Sequence, residues 1–272
     1  MGTSFDPDDG VLRVRHGALA VLALLATDPA STRLHDHGVA PLLAELRSAG
    51  LVGAQGVHSD VAPLAAAIGR ARATADLFAH DHGRPRRARG WISDALAVVG
   101  VATEDDPHTY ELMADAPDRL PELLEELVGL GTAPAPPVPG RQLLNEEAFD
   151  ALLAADTAVT GPAVQAALAP GESQPVAPED TDAFAAALTD GLRGAAVRWR
   201  LTARPTGVEQ PSDDIDVLDA GSAGLWLARR GPEGVTIGAV EAAEVRAELR
   251  ALTTLRLRRP GTSKSQRRSG AT

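Results

Sequence analysis

The chain has 272 residues, a formal charge of −11 and no cysteine. The length admits one large domain or two modest ones with a self-sufficient core, while the acidic balance opposes the counterion-release binding of nucleic acids. The missing thiols remove disulfides, thiolate zinc sites and cysteine nucleophiles together. Apolar residues make up 44% of the chain and aromatic ones 3%, so the core is expected to be built from Ala, Val and Leu, which suits helices packed on a sheet. Lys264 is the lone lysine among many arginines, a bias we read as the base composition of a GC-rich bacterium.

Residues 1–10, MGTSFDPDDG, are acidic and carry Gly and Pro, and are expected to be disordered. Residues 18–26, ALAVLALLA, form an apolar run too short to span a bilayer. Asp6, Asp8 and Asp9 stand where a secretory signal would carry a basic leader, so the run reads as a buried helix. A second helix is expected over 31–49, with Leu34, Leu42, Leu43 and Leu46 on one side and Gly50 as its stop. A third is expected over 60–70, with Asp60 as N-cap and Pro63 in its first turn.

Strands are expected over 74–80, 94–103 and 109–114, with GRPRRARG at 83–90 as a basic loop interrupting the sheet and EDDP at 104–107 as a turn. An amphipathic helix follows over 116–129, with Leu120, Leu123, Leu124 and Leu127 as its stripe. The segment 132–140, TAPAPPVPG, can hold neither a helix nor a central strand, so it is read as the connector between an N-terminal α+β half, 11–131, and a C-terminal α+β half, 141–257. Within the second half the pattern predicts a strand at 141–144, helices at 146–155, 162–168 and 181–192, and a loop at 170–178. Strands at 195–203, 215–219, 224–229 and 235–238 come next, then a helix over 239–257. The Ser-rich basic tail, 258–272, is expected to be disordered.

The order of elements repeats. VVGVATEDDPHTYELMADAPDRLPELLEEL in the first half and GLWLARRGPEGVTIGAVEAAEVRAELRAL in the second each read as strand, turn, strand and helix. Such a repeat points to a duplicated α+β unit whose two sheets join as one.

Two tripeptides carry the sharpest polar signal: His35-Asp36-His37 and His80-Asp81-His82, each followed by glycine. Paired histidines with nearby carboxylates are metal-ligand chemistry. On the helix expected over 31–49, residues two apart point about 200° from each other, and His80 and His82 lie beside the basic loop, where polar surface residues are ordinary. Both pairs are therefore read as surface histidines, with a metal-dependent enzyme as the alternative. Gly-x-Ser-x-Gly, Ser-x-x-Lys, P-loop and Gly-x-Gly-x-x-Gly motifs are absent from the sequence. Asp213, Asp214, Asp216 and Asp219 lack the EF-hand spacing and its terminal glutamate, and read as a solvated turn. Arg84, Arg86, Arg87 and Arg89 read as a soluble loop, with docking to an acidic partner or anionic lipid as the alternative. The run LRSAGLV at 46–52 with Gly56-Val57-His58 admits a winged-helix regulator, which the acidic charge opposes. Trp91, Trp199 and Trp226 fall in strand patterns as core residues; any one exposed on a sheet would be a binding anchor.

Three stretches carry a family resemblance: LLAELRSAGLVGAQGVHSDVAPLAAAI (42–68), DALAVVGVATEDDPHTYELMADAPDRLPELLEELVGLG (94–131) and VLDAGSAGLWLARRGPEGVTIGAVEAAEVRAELRAL (217–252). They resemble the EspG family, the cytoplasmic secretion-associated chaperones of actinobacterial type VII (ESX) systems. The resemblance implies a quasi-two-fold α+β fold, with a central antiparallel sheet and flanking helical bundles, that neither catalyses a reaction nor holds a cofactor. It further implies binding of a helical secreted client, a PE–PPE heterodimer in the best-known members, through the client's hydrophobic tip. No residue of a client-binding surface follows from it. The expected protein is thus a soluble, cytoplasmic binding protein that is not an enzyme, holds no metal, binds no nucleic acid and does not insert into a membrane.

Overall fold

A computed structural model describes residues 3–6, 11–81, 84–130, 138, 140–155, 158–168, 178–195, 197–206 and 213–255. The chain starts with strands β1 (Ser4–Asp6) and β2 (Val11–Arg15), then helices α1 (His16–Thr27), α2 (Val39–Ser48) and α3 (Ala62–Gly69), with the short pair β3 (Val52–Gly53) and β4 (Gly56–Val57) between the last two. A meander follows: β5 (Ala73–Asp81), β6 (Arg84–Ile92), β7 (Ala97–Ala102) and β8 (Thr109–Asp115), closed by α4 (Leu120–Val128). Next come β9 (Arg141–Leu144), α5 (Glu146–Ala155), α6 (Gly161–Ala167) and α7 (Pro178–Gly194). A second meander, β10 (Val197–Pro205), β11 (Asp213–Asp219), β12 (Leu225–Gly231) and β13 (Gly234–Val240), leads into α8 (Ala242–Leu255).

The fold is α+β, built on one antiparallel sheet of eleven strands in the order β1-β2-β8-β7-β6-β5-β10-β11-β12-β13-β9. The two meanders join in its centre, where β5 pairs with β10 from Ala73↔Pro205 to Val197↔Asp81, Leu77 standing opposite Leu201.

Strand alternation sends successive side chains to opposite faces, and the sheet uses its two faces differently. On the back, Ala73, Ala75, Leu77 and Ala79 of β5 join Trp199, Leu201 and Ala203 of β10 in a core closed by Leu120 and Leu124 of α4 and Val245 and Leu249 of α8. Leu120, Leu124 and Val128 recur every fourth residue, one stripe of a helix. Gly129 then ends α4 at φ 62°, a left-handed turn that glycine adopts without a Cβ penalty. Arg246 to Glu125 (2.5 Å) and Arg250 to Glu122 (3.3 Å) tie α8 to α4 across the outside. On the front, α1, α2 and α3 cover β2, β7, β8 and Trp91, while α5, α6 and α7 cover β9, β12 and β13 with Trp226. The middle of the front face lies between these two helix groups.

Several expectations are corrected by this arrangement. Residues 84–90, expected within a loop, are not one: β6 runs through 84–92 with ladder bonds to β5 and β7, and pairing on both sides overrides the weak strand propensity of four arginines. The helix expected over 31–49 divides into a 3-10 turn, Thr32–His35, and α2, because Pro41 has no N–H to bond back to residue 37 and sits only in a first helical turn. Gly50 does end α2 as expected, with φ 73°; the Leu51 N–H donates to the Leu46 carbonyl and the Gly50 N–H to that of Arg47, the Schellman pattern. Asp60 does not cap α3, whose N-cap is Val61 without a side-chain bond. Residues 4–6, within a terminus expected to be disordered, add an edge strand to β2. β2 itself had no counterpart among the expected strands. Strand β11 covers the strand expected over 215–219 and starts two residues earlier, so Asp213 and Asp214 belong to it rather than to a solvated turn. The loop 170–178, apart from its last residue, the tail 258–272 and most of the connector 132–140 lie outside the described residues.

Candidate functional site

The sequence ATADLFAHD of β5 turns its small apolar residues to the covered back face and Thr74, Asp76, Phe78 and His80 to the front. Registers place Arg87 of β6 and Arg200 of β10 directly opposite Phe78, one on each side. Phe78 is 37% exposed, one of only two large apolar side chains so exposed among the described residues, the other being Met113. The Arg87 guanidinium lies over the Phe78 ring at 5.2 Å and the His80 ring meets its edge at 4.9 Å. A cation over an aromatic face is attracted by the ring quadrupole, so this contact orders Arg87 without neutralising it. Next along the strip, Arg89 Nε donates to Asp76 at 2.5 Å; that bond raises the Arg89 pKa against the opposing pull of burial.

The other side of the strip is an ion network. Asp216, 6% exposed at its side chain, accepts from Arg200 at 2.7 Å and from Arg230 at 3.2 Å. Arg230 also donates to Glu146 at 2.6 Å and to Asp150 at 2.5 Å, and its guanidinium stacks over Phe149 at 5.6 Å. The network fastens the first turns of α5 to β10, β11 and β12. Burial raises the Asp216 pKa, opposed by the bonds from Arg200. Asp150, more exposed, is held below its ordinary value by its bond to Arg230. Burial pulls the Arg230 pKa down, but the bonds to Asp150 and Glu146 and the charge of Asp216 outweigh it and raise it. Arg198, on the same face, donates to the carbonyls of Leu153 and Leu192 at 3.0 and 2.6 Å, holding α5 and α7 near the strip.

The histidine pairs do not assemble. Residues 35–37 lie in the turn before α2, whereas His80 and Asp81 end β5 on the front of the sheet and at its hairpin; the side chains of His35 and Asp81, and all of His82, lie outside the described residues. Among the described residues no three His, Asp or Glu side chains could hold a metal ion together. The aspartates of β11 also separate: Asp216 is paired with arginines, while Asp214 Oδ1 is enclosed without a hydrogen-bond partner among the described residues. All three tryptophans are buried. Of the four arginines, Arg87 and Arg89 lie on the front with the strip and Arg84 and Arg86 on the other face. Sequence reasoning passed over Phe78, Arg200 and Arg230, although the period-two placing of Asp76, Phe78 and His80 was a signal of a strand with a polar, aromatic face.

A second surface lies between α5 and α6, an apolar groove of about 320 Å³ lined by Ala148, Ala151, Ala155, Ala163 and Ala167. Among the described residues no helix is long and apolar enough to cross a membrane.

No protein-family model matches the sequence, and no curated protein matches it. Among solved structures, the Mycobacterium tuberculosis type VII secretion system chaperone EspG5, in complex with the PE25-PPE41 dimer, matches with a TM-score of 0.57 at 14% identity, covering 89% of this chain and 95% of that one. At that identity the likeness is one of fold.

Proposed function

We propose that the protein is a cytoplasmic chaperone or adaptor that holds a helical secreted client, such as a PE–PPE-like pair, for a type VII secretion system. The proposal includes a body made of two related halves, 11–131 and 141–257, joined through 132–140. The order of elements supports the halves: β2 is followed by three helices, a four-strand meander and α4, and β9 by three helices, a four-strand meander and α8. The observation that carries the function is Phe78, exposed between Arg87 and Arg200 at the middle of the sheet, in a fold shared with a chaperone solved with a client dimer. An aromatic anchor ringed by arginines is the composition of an interaction hot spot. It also needs no metal or nucleotide, and a helix laid on it presents residues at i, i+3, i+4 and i+7.

The test is affinity capture from the native host with the wild-type chain and with Phe78→Asp, in the presence and absence of chelator, followed by identification of the bound proteins. The wild type retains secreted helical proteins with or without chelator, and Phe78→Asp loses them; losing one central anchor costs about 2 kcal/mol or more, roughly thirtyfold in affinity. Recovery of nucleic acid alone, or of no helical partner, overturns the proposal.

A further inference from the structure

The strip is even in backbone and uneven in charge. Asp76 precedes Leu77 as Arg200 precedes Leu201, and each makes a front-face ion pair with the next strand outward: Asp76 with Arg89 of β6, Arg200 with Asp216 of β11. Acid and base are exchanged between these matching positions. Further out the inequality grows. On the β6 flank Arg87 lies over Phe78 and has no carboxylate partner among the described residues. On the β11 and α5 flank, Glu146, Asp150 and Asp216 share Arg200 and Arg230, Asp214 stands on the same face of β11 with its Oδ1 lacking a hydrogen-bond partner among the described residues, and Glu146 and Asp150 are more than half exposed. Arg198 of β10 reaches this same flank, where it donates to the carbonyls of Leu153 in α5 and Leu192 in α7, so four carboxylates there meet three guanidiniums, while Arg204 lies exposed at the end of β10.

We infer that this charge difference sets the chain direction of the client helix: its apolar face meets Phe78, its acidic flank lies towards Arg87 and its basic flank towards Asp150, Glu146 and Asp214. The inference rests on the client-binding reading above and adds to it the chemistry of the partner. A helix lying along the strip that is turned end for end, apolar face still down, exchanges its left and right flanks. On an evenly charged floor both directions fit equally. Here the reversed helix sets acid against Asp150 and base against Arg87, and like charges brought together select against that arrangement. The protein's formal charge of −11 makes the Arg87 guanidinium, which has no carboxylate partner among the described residues, a specific attraction for acid rather than part of a general basic surface.

The absence of cysteine makes the test clean. His80 and Arg204 are exposed, each three residues beyond its central leucine, and the ladder places them at opposite ends of the strip, about 20 Å apart at the rise of a strand. Two variants carry one cysteine each, His80→Cys or Arg204→Cys. The probes are two synthetic amphipathic helices with the same leucine stripe and one N-terminal cysteine, glutamates along one flank and arginines along the other, exchanged between the two peptides. Disulfide capture is expected at opposite protein cysteines for the two peptides, each with a preference of about fivefold, the scale of one or two partly exposed charge pairs. Adding Arg87→Glu with Asp214→Arg reverses both preferences; should that double variant fail to fold, the comparison of the two peptides stands as the test. Capture of both peptides at the same cysteine, or at both cysteines equally, overturns the directional inference and leaves client binding standing. Capture at neither overturns both. Cysteine-linked protein dimers formed without peptide assign the strip to a second copy of the chain and overturn the inference as well.

Discussion

Leu77 and Leu201 stand opposite each other at the midpoint of the β5–β10 ladder, both pointing to the back face buried under α4 and α8. That one pairing makes two meanders a single sheet, because the hydrophobic core beneath it draws side chains from both. Leu201 is fully enclosed at 0% exposure. Leu201→Ala is therefore expected to cost about 3 kcal/mol, the transfer term plus a cavity. With Trp91 in the first helix-covered core and Trp226 in the other, the single-tryptophan reporters made by combining Trp199→Phe with either Trp226→Phe or Trp91→Phe are expected to give coincident urea midpoints. Two separate midpoints would show that the meanders unfold independently.

Removing Arg230 leaves Asp216 enclosed with Arg200 as its remaining partner. Breaking a buried pair by deleting one member costs about 3–5 kcal/mol, because the other charge stays desolvated. Arg230→Ala is expected near the lower end of that range, since Arg200 still donates to Asp216. The double variant with Asp216→Ala is expected to be less destabilised than the sum of the two single variants, which equilibrium unfolding of the full cycle measures.

The clasp on α5 carries an acid dependence. The Asp150 carboxyl is held down by Arg230, so its contribution is present above the ordinary aspartate value of about 3.9 and is lost as pH falls through its lower folded value. Asp216 acts in the opposite sense: burial raises it, so its contribution is present at low pH and is lost as pH rises through its folded value. In Asp150→Asn the first dependence is gone. The Tm difference between wild type and Asp150→Asn is expected to be largest near pH 6 and to shrink below about pH 4. A difference that stays constant down to pH 2.5 would exclude the linkage.

Gly191 lies in α7, where glycine to alanine ordinarily stabilises a helix by about 0.5–1 kcal/mol. A Cβ there would sit 2.4 Å from Nε1 of Trp226, a side chain at 0% exposure that cannot retreat. The sign reverses, and Gly191→Ala is expected to destabilise by about 1–3 kcal/mol through overpacking. Gly161, with nothing within 4 Å of its Cβ position, is the control and is expected to tolerate alanine. Thermal melts of the two variants check both.

Much of this architecture was legible in the residues. The stripe of Leu120 and Leu124 marked α4, the β-branched and apolar runs marked β7, β8, β12 and β13, and the Pro-rich 132–140 separated two similar orders of elements. Periodicity reports how each segment meets the core, and these segments each bury one side or both. Segments whose structure depends on a distant partner were misread. Residues 84–92 become a strand only because β5 and β7 flank them, and residues 213 and 214 extend the strand expected over 215–219 because β10 pairs with them.

The amino-acid sequence by itself determined the fold class, the small-residue core, and the absence of the nucleophile and phosphate-loop motifs. Those are properties of composition and local spacing. Only the tertiary structure decided that β5 meets β10, and with it which of two faces Phe78, Arg87 and Arg200 share. The strip around Phe78 is made from three strands, with Phe78 and Arg200 lying 122 positions apart in the chain, and it exists because helices cover the sheet beside it and stop short of its middle. Exposure at a position is set by what the rest of the chain leaves uncovered, and no local pattern around Phe78 carries that information.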